Sequence, residues 1–231
     1  MAFIHKNNLM AGRYLNQCLE DYIMFADRIE AGKKLAEKLS NIKDNNYVVL
    51  AIPRGGVVVG DQIAKSLRCN LDIMVSKKIT PPDQTEYGIG AIMHDGTIYW
   101  NYDMTAHLQN PYLISEINKK KNEAQRQLEE FRGNASYDLT DKKVILVDDG
   151  IATGSSVFVI LKWLVKQGTK KIIVAAPVIP DKTYEQIKKI CDVVAVLIPS
   201  AFYSVSNYYE KFKQVSDKEV ESILLKYKTV E

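Results

Sequence analysis

The sequence predicts an α/β fold: a parallel twisted sheet with helices on both faces, plus a β-hairpin, a long inserted helix and a small C-terminal hood. Three observations lead there. Short apolar, β-branched-rich runs at residues 47–52, 71–76, 144–147, 171–177 and 193–198 have the length and continuity of strands buried on both faces. The stretches between several of them carry apolar residues at helical spacing, the alternation of a parallel sheet covered on both sides. Two of the runs lead straight into a glycine-containing loop and then a helix, the arrangement that puts ligands outside the carboxyl ends of strands.

In chain order, residues 1–26 are the least readable. Leu15, Leu19, Tyr22, Ile23 and Phe25 would line one helix of an N-terminal extension used for packing or oligomerisation. The main domain then covers residues 27–231. Asp27 and Glu30 form a capping pair for a helix ending near Ser40. The strand at 47–52 runs into Pro53-Arg54-Gly55-Gly56, followed by a helix over 57–67. The strand at 71–76 delivers Lys77 and Lys78, which point to opposite sides. Residues 80–86 hold Pro81-Pro82 and read as a loop, and 87–93 and 97–101 flank His94-Asp95-Gly96 as a hairpin with a solvent-facing His94. Asn110-Pro111 breaks the chain before a long charged helix over 112–131. Residues 80–137 together form an insertion. Beyond the strand at 144–147, Val157, Ile160, Leu161, Leu164 and Val165 give a helix one apolar face, and Gly168 caps it. A helix over 181–190 is capped by Asp181, and residues 199–231 form the hood, with Ser216 and Glu219 capping a final helix.

The chemistry concentrates at residues 143–157, KVILVDDGIATGSSV. A strand ends in Asp148 and Asp149, and Gly150, Ile151, Ala152, Thr153 and Gly154 form a loop before Ser155 and Ser156 open a helix. Free backbone N–H groups and the positive end of a helix dipole make such a loop a site for a phosphate dianion. The carboxylates cannot bind that phosphate; they suit hydroxyls, a bound Mg²⁺ or developing positive charge. A 5-phosphorylated ribose combines these features. No Lys follows Gly154, which excludes a nucleotide-triphosphate loop. In the other loop Arg54 and the backbone beside Gly55 and Gly56 would hold a second anion, although a purely structural turn explains that loop equally well on its own.

VILVDDGIATG resembles the phosphoribosyl-pyrophosphate (PRPP) signature of the type I phosphoribosyltransferases. The resemblance extends from about residue 26 to 225 through PRGG, the Lys-Lys pair and the run FY…YE.F.QVSD.EV. It implies transfer of the 5-phosphoribosyl group from PRPP to a nitrogenous base, or the reverse, in nucleotide-salvage chemistry. Asp148 and Asp149 would grip the ribose and an Mg²⁺ carried by PRPP, and residues 150–156 the 5-phosphate. Pro53, Arg54, Gly55, Gly56 and Lys77 or Lys78 would hold pyrophosphate, and part of residues 80–137 would close over it. The hood is loosely similar to that of purine enzymes, with Asn207 and Lys213 standing where that pattern has an acid and an arginine. There Phe202 or Tyr203 would stack on a base, against an equal case for sheet-edge packing. Ala152 stands where hypoxanthine/guanine enzymes carry Asp, which leaves adenine, a pyrimidine or an unusual acceptor. A non-catalytic sensor of PRPP or a nucleotide is the competing expectation.

Composition constrains the rest. A chain of 231 residues with 46% hydrophobic content buries a sizeable core. A net charge of +3, from 31 basic and 28 acidic residues, calls for no nucleic-acid or membrane partner and leaves room for a homodimer. Cys18, Cys69 and Cys191 read as free thiols of a reducing compartment, and no apolar leader or membrane span is legible, so the cytoplasm is the expected location.

Overall fold

The computed structural model describes residues 24–42, 46–81, 88–101 and 110–228. Most of the expected N-terminal extension, with Cys18, residues 82–87 of the expected loop and hairpin, and residues 102–109 of the expected insertion lie outside the described residues.

A five-stranded parallel sheet forms the centre, in the order β2 (Asn70–Ile73), β1 (Tyr47–Ala51), β6 (Lys143–Val147), β7 (Lys171–Val178), β8 (Asp192–Leu197). Its helical crossovers are α2 (Gly55–Leu67), α4 (Ser155–Lys166) and α5 (Asp181–Lys188). The order reverses between β1 and β6, which pair in register from Tyr47 with Lys143 to Ala51 with Val147. The switch point, where folds of this kind place their ligands, therefore lies outside the carboxyl ends of these two strands, where the loops after β1 and β6 meet.

Strand alternation sorts the core into two layers. Ile145 and Val147 of β6 pack with α1 (Arg28–Lys38), α2, the C-terminal half of α3 (Pro111–Arg132) and α6 (Asp217–Leu224). Val144 and Leu146 point the other way, onto α4 and α5. The continuous apolar runs of β1, β6 and β7 follow from burial on both faces. Capping also holds at several ends: the Asp27 carboxylate accepts from Ile29 N and Glu30 N, Ser216 accepts from Glu219 N, and Gly168 lies at φ +71 after α4. Asp181, expected as a cap, is the first helical residue; Pro180 holds the cap position.

Two expectations are corrected. The strand at 71–76 is two strands: β2 stops at Ile73, and β3 (Ser76–Ile79) starts a separate antiparallel sheet with β4 (Gly90–Met93) and β5 (Ile98–Trp100). Lys77 and Lys78 thus lie within β3, opposite Ile92 and Ala91, and not at the end of a parallel strand. His94, at the β4–β5 turn, is buried and not solvent-facing, because the turn packs on α4 and on the segment between α3 and β6: its ring lies 5.8 Å from Trp163 and 6.1 Å from Tyr137. Among the described residues no helix is long and apolar enough to cross a membrane.

Candidate functional site

The two glycine loops meet as the strand order requires. After β6, the Asp149 N–H donates to Asp148 Oδ1 at 2.8 Å. Burial, and next the charge of Asp149, push Asp148 well above the usual carboxylate range, while Arg28 pulls it down. Asp149 accepts Arg28 Nε–H on Oδ2 at 2.6 Å, and the Tyr209 hydroxyl donates to its backbone carbonyl at 2.6 Å. Gly55 and Gly56 lie against this pair. A Cβ on Gly55 would overlap Asp149 Oδ2, and one on Gly56 would fall 2.9 Å from Val147 O. The Pro53–Arg54 peptide is cis, and both glycines belong to the first turn of α2 instead of preceding it.

In the second loop, Gly154 takes φ +76 and caps α4 without a side-chain bond. The glycine suits that left-handed conformation, and a Cβ there would meet Phe158 at 2.8 Å. The loop is fixed from outside: Ile151 N–H donates to Val178 O, and the Thr183 hydroxyl donates to Ala152 O. Among the described residues none accepts from the N–H groups of Ala152, Thr153, Gly154, Ser155 or Ser156. These unpaired donors surround a helix N-terminus, the physical basis of an anion site. The Ser155 hydroxyl donates to Asn101 Oδ1 at 2.8 Å and lies 3.1 Å from that of Thr153.

The basic residues divide. Lys77 is half-buried and donates to Gln127 Oε1 at 2.6 Å; burial lowers its pKa most, with Glu123 opposing and Lys120, Arg54 and Arg126 adding to the fall. Lys78 is exposed, on the opposite face of β3. The Arg54 guanidinium is held by Asp217 of α6, Nε to Oδ1 at 2.6 Å. In the hood, Phe202 stacks on Tyr208 at 5.9 Å, whereas Tyr203 is 90% exposed. No described group of three or more His, Cys, Asp or Glu side chains is gathered as a metal cage.

Sequence reading missed three residues that the fold brings to this place: Arg28, Tyr209 and Asn101. Arg28 alone left a trace. It is the first residue of α1, where the helix dipole disfavours a cation.

A doubly wound α/β fold, with an acid pair and an uncapped glycine loop at its switch point, defines a class of phosphate-ester-binding proteins. Within that class the chain belongs to the phosphoribosyl transferase domain family, whose model matches residues 25–213. It is 37% identical over 205 residues to two Mycobacterium tuberculosis proteins, of strains CDC 1551 / Oshkosh and ATCC 25618 / H37Rv, that carry a provisional phosphoribosyl transferase name. That match covers 87% of this chain and 46% of each relative, so the chain spans about half the length of the curated relatives it matches. The crystal structure of TT1426 from Thermus thermophilus superposes with a TM-score of 0.75 at 34% identity, covering 88% of this chain and 99% of that one.

Proposed function

We propose that the protein transfers the 5-phosphoribosyl group of PRPP to a nitrogenous base, or runs the reverse reaction, with displacement of pyrophosphate at the anomeric carbon. The observation that carries this is the ring of unpaired N–H groups at residues 152–156 beside the Asp148–Asp149 pair. Anion donors and carboxylates so close together match a ligand with phosphate at one end and hydroxyls beside it.

The residues take separate roles. The amides of the 152–156 loop and the hydroxyl of Ser156 hold the 5-phosphate. Asp148 and Asp149 orient the ribose hydroxyls and place negative charge near a ring that becomes oxocarbenium-like. Gly55 and Gly56 let the α2 amides approach the leaving group, and Arg54 and Lys77 neutralise it once Arg54 releases Asp217. Phe202 and Tyr203 offer ring faces for the base. Asp148 and Asp149 fit Mg²⁺ only in the manner of one or two carboxylates sharing the ion with substrate phosphates. Bound in that way, Mg²⁺ supplies charge neutralisation to the departing pyrophosphate. Positioning and electrostatics supply the catalysis, since none of these groups is a nucleophile.

Incubating the protein with PRPP, Mg²⁺ and a panel of bases, while following pyrophosphate, tests the reading. Release dependent on one base class supports transfer. PRPP binding without release under any condition replaces it with a sensing role. Absence of PRPP binding ends the phosphoribosyl reading.

A further inference from the structure

We propose that Arg28 is a positioning residue of this site, fixing the Asp149 carboxylate for the ribose hydroxyls; the inference rests on the phosphoribosyl reading above. The guanidinium is held on three sides. Nε donates to Asp149 Oδ2 at 2.6 Å, Nη1 donates to Lys213 O at 2.7 Å, and Cζ lies 3.8 Å over the Phe212 ring. The arginine side chain is 11% exposed and the aspartate 16%, so water screens the pair little.

Asp149 cannot choose its own orientation. Its backbone carbonyl is bound by Tyr209, its N–H by Asp148, and its Oδ2 lies where a Cβ of Gly55 would be. Arg28 holds Oδ2, and the Asp148 side chain also lies within bonding reach of the Asp149 carboxylate, so the acid's aim toward a hydroxyl is set from two sides. Arg28 is a cation set against the Asp149 charge, so its loss leaves that carboxylate to its main-chain bonds and to Asp148. Arg28 enters from the first turn of α1, and Tyr209, Phe212 and Lys213 from the hood, so the acid's aim depends on segments outside both glycine loops. Lysine would keep the charge but not the planar fork that engages two acceptors and a ring at once.

Calorimetric titration of the full chain with PRPP and Mg²⁺ decides the matter, using wild type, Arg28→Lys, Arg28→Gln, Asp149→Asn and the Arg28→Gln/Asp149→Asn double variant. Arg28→Gln is expected to weaken PRPP binding about tenfold to hundredfold. Arg28→Lys is expected to recover part of the loss, and the double variant to bind no worse than Asp149→Asn alone. Wild-type affinity in Arg28→Gln, tighter binding in it, or additive losses in the double variant would overturn the role. Should Arg28→Gln not fold, Arg28→Lys carries the test, and wild-type affinity there overturns it. A wild type that fails to bind PRPP sinks the phosphoribosyl reading and this inference together; variants that match a binding wild type sink this inference alone.

Discussion

Arg54 Nε donates to Asp217 Oδ1 at 2.6 Å, so the arginine of the first glycine loop is clasped by the first residue of α6. The two side chains are 38% and 56% exposed, and pairs of that exposure contribute about 0–1 kcal/mol. Under the proposed function such a clasp gives way to a pyrophosphate that offers charge-assisted bonds. Asp217→Asn should therefore change stability by less than about 1 kcal/mol while tightening pyrophosphate binding several-fold, read by calorimetry. Unchanged affinity would remove Arg54 from the leaving-group site.

Gly56 should tolerate no side chain. A Cβ there meets Val147 O at 2.9 Å and the Asp148 Cα at 3.0 Å, main-chain atoms held because Val147 O accepts from Ile52 N–H and the Asp148 N–H donates to Ala175 O. Gly56→Ala should cost about 1–3 kcal/mol in chemical denaturation and displace the acid pair, lowering PRPP affinity as well. Gly133→Ala is the contrast. Its Cβ meets nothing within 4 Å, and only φ +83 opposes it, so it should cost about 1 kcal/mol and leave PRPP binding alone. Equal effects of the two on binding would detach Gly56 from the site.

Which of these features could be read from the chain depends on the range of the interaction. The strands β1, β6 and β7, their helices and the 150–156 loop were legible because local patterning and turn chemistry specify them. The break after β2 was not, because Met74 and Val75 are buried and continue the apolar run with no Gly or Pro to mark it. Turn chemistry predicted an exposed His94, but burial there is decided by Trp163, far along the chain. Arg28 and Asp149 are 121 residues apart, and Arg54 and Asp217 are 163 apart. No periodicity encodes such pairs, so the loops were visible while the residues clamping them were not.

Stability should fall in mild acid because of His94. Its Nδ1 is buried without a partner among the described residues, and burial holds its pKa below the free value of 6.5, with the Asp95 charge opposing and Arg132 and Lys121 assisting. The unfolded chain binds the proton more readily than the folded one. The contribution of neutral His94 is thus complete above pH 6.5 and is lost as pH falls through the folded value. Thermal unfolding followed from about pH 7.5 to about pH 5 should show a steeper decline in wild type than in His94→Phe. Parallel declines would assign the acid sensitivity elsewhere.

Asn101 should link the antiparallel sheet to the phosphate loop. Its Nδ2 donates to Gly88 O at 2.7 Å, which fixes the amide and turns Oδ1 toward Ser155. Ser155 has one hydroxyl proton and gives it to Asn101, so the Thr153 hydroxyl, 3.1 Å away, is the donor to Ser155. With both hydroxyl protons so engaged, the proposed function leaves the loop amides and Ser156 as the donors for a 5-phosphate. Asn101→Asp keeps an acceptor for Ser155 but loses the bond to Gly88 and adds a negative charge near the phosphate position. It should weaken PRPP binding about tenfold, whereas Asn101→Ala, which releases both hydroxyls without adding charge, should weaken it less. Titrating both variants with PRPP and with pyrophosphate separates the loops: the penalty belongs to PRPP, and pyrophosphate, which lacks the 5-phosphate, should bind each variant as it binds wild type. An equal penalty for the two ligands would mean that Asn101 acts on the whole fold and not on the 5-phosphate loop.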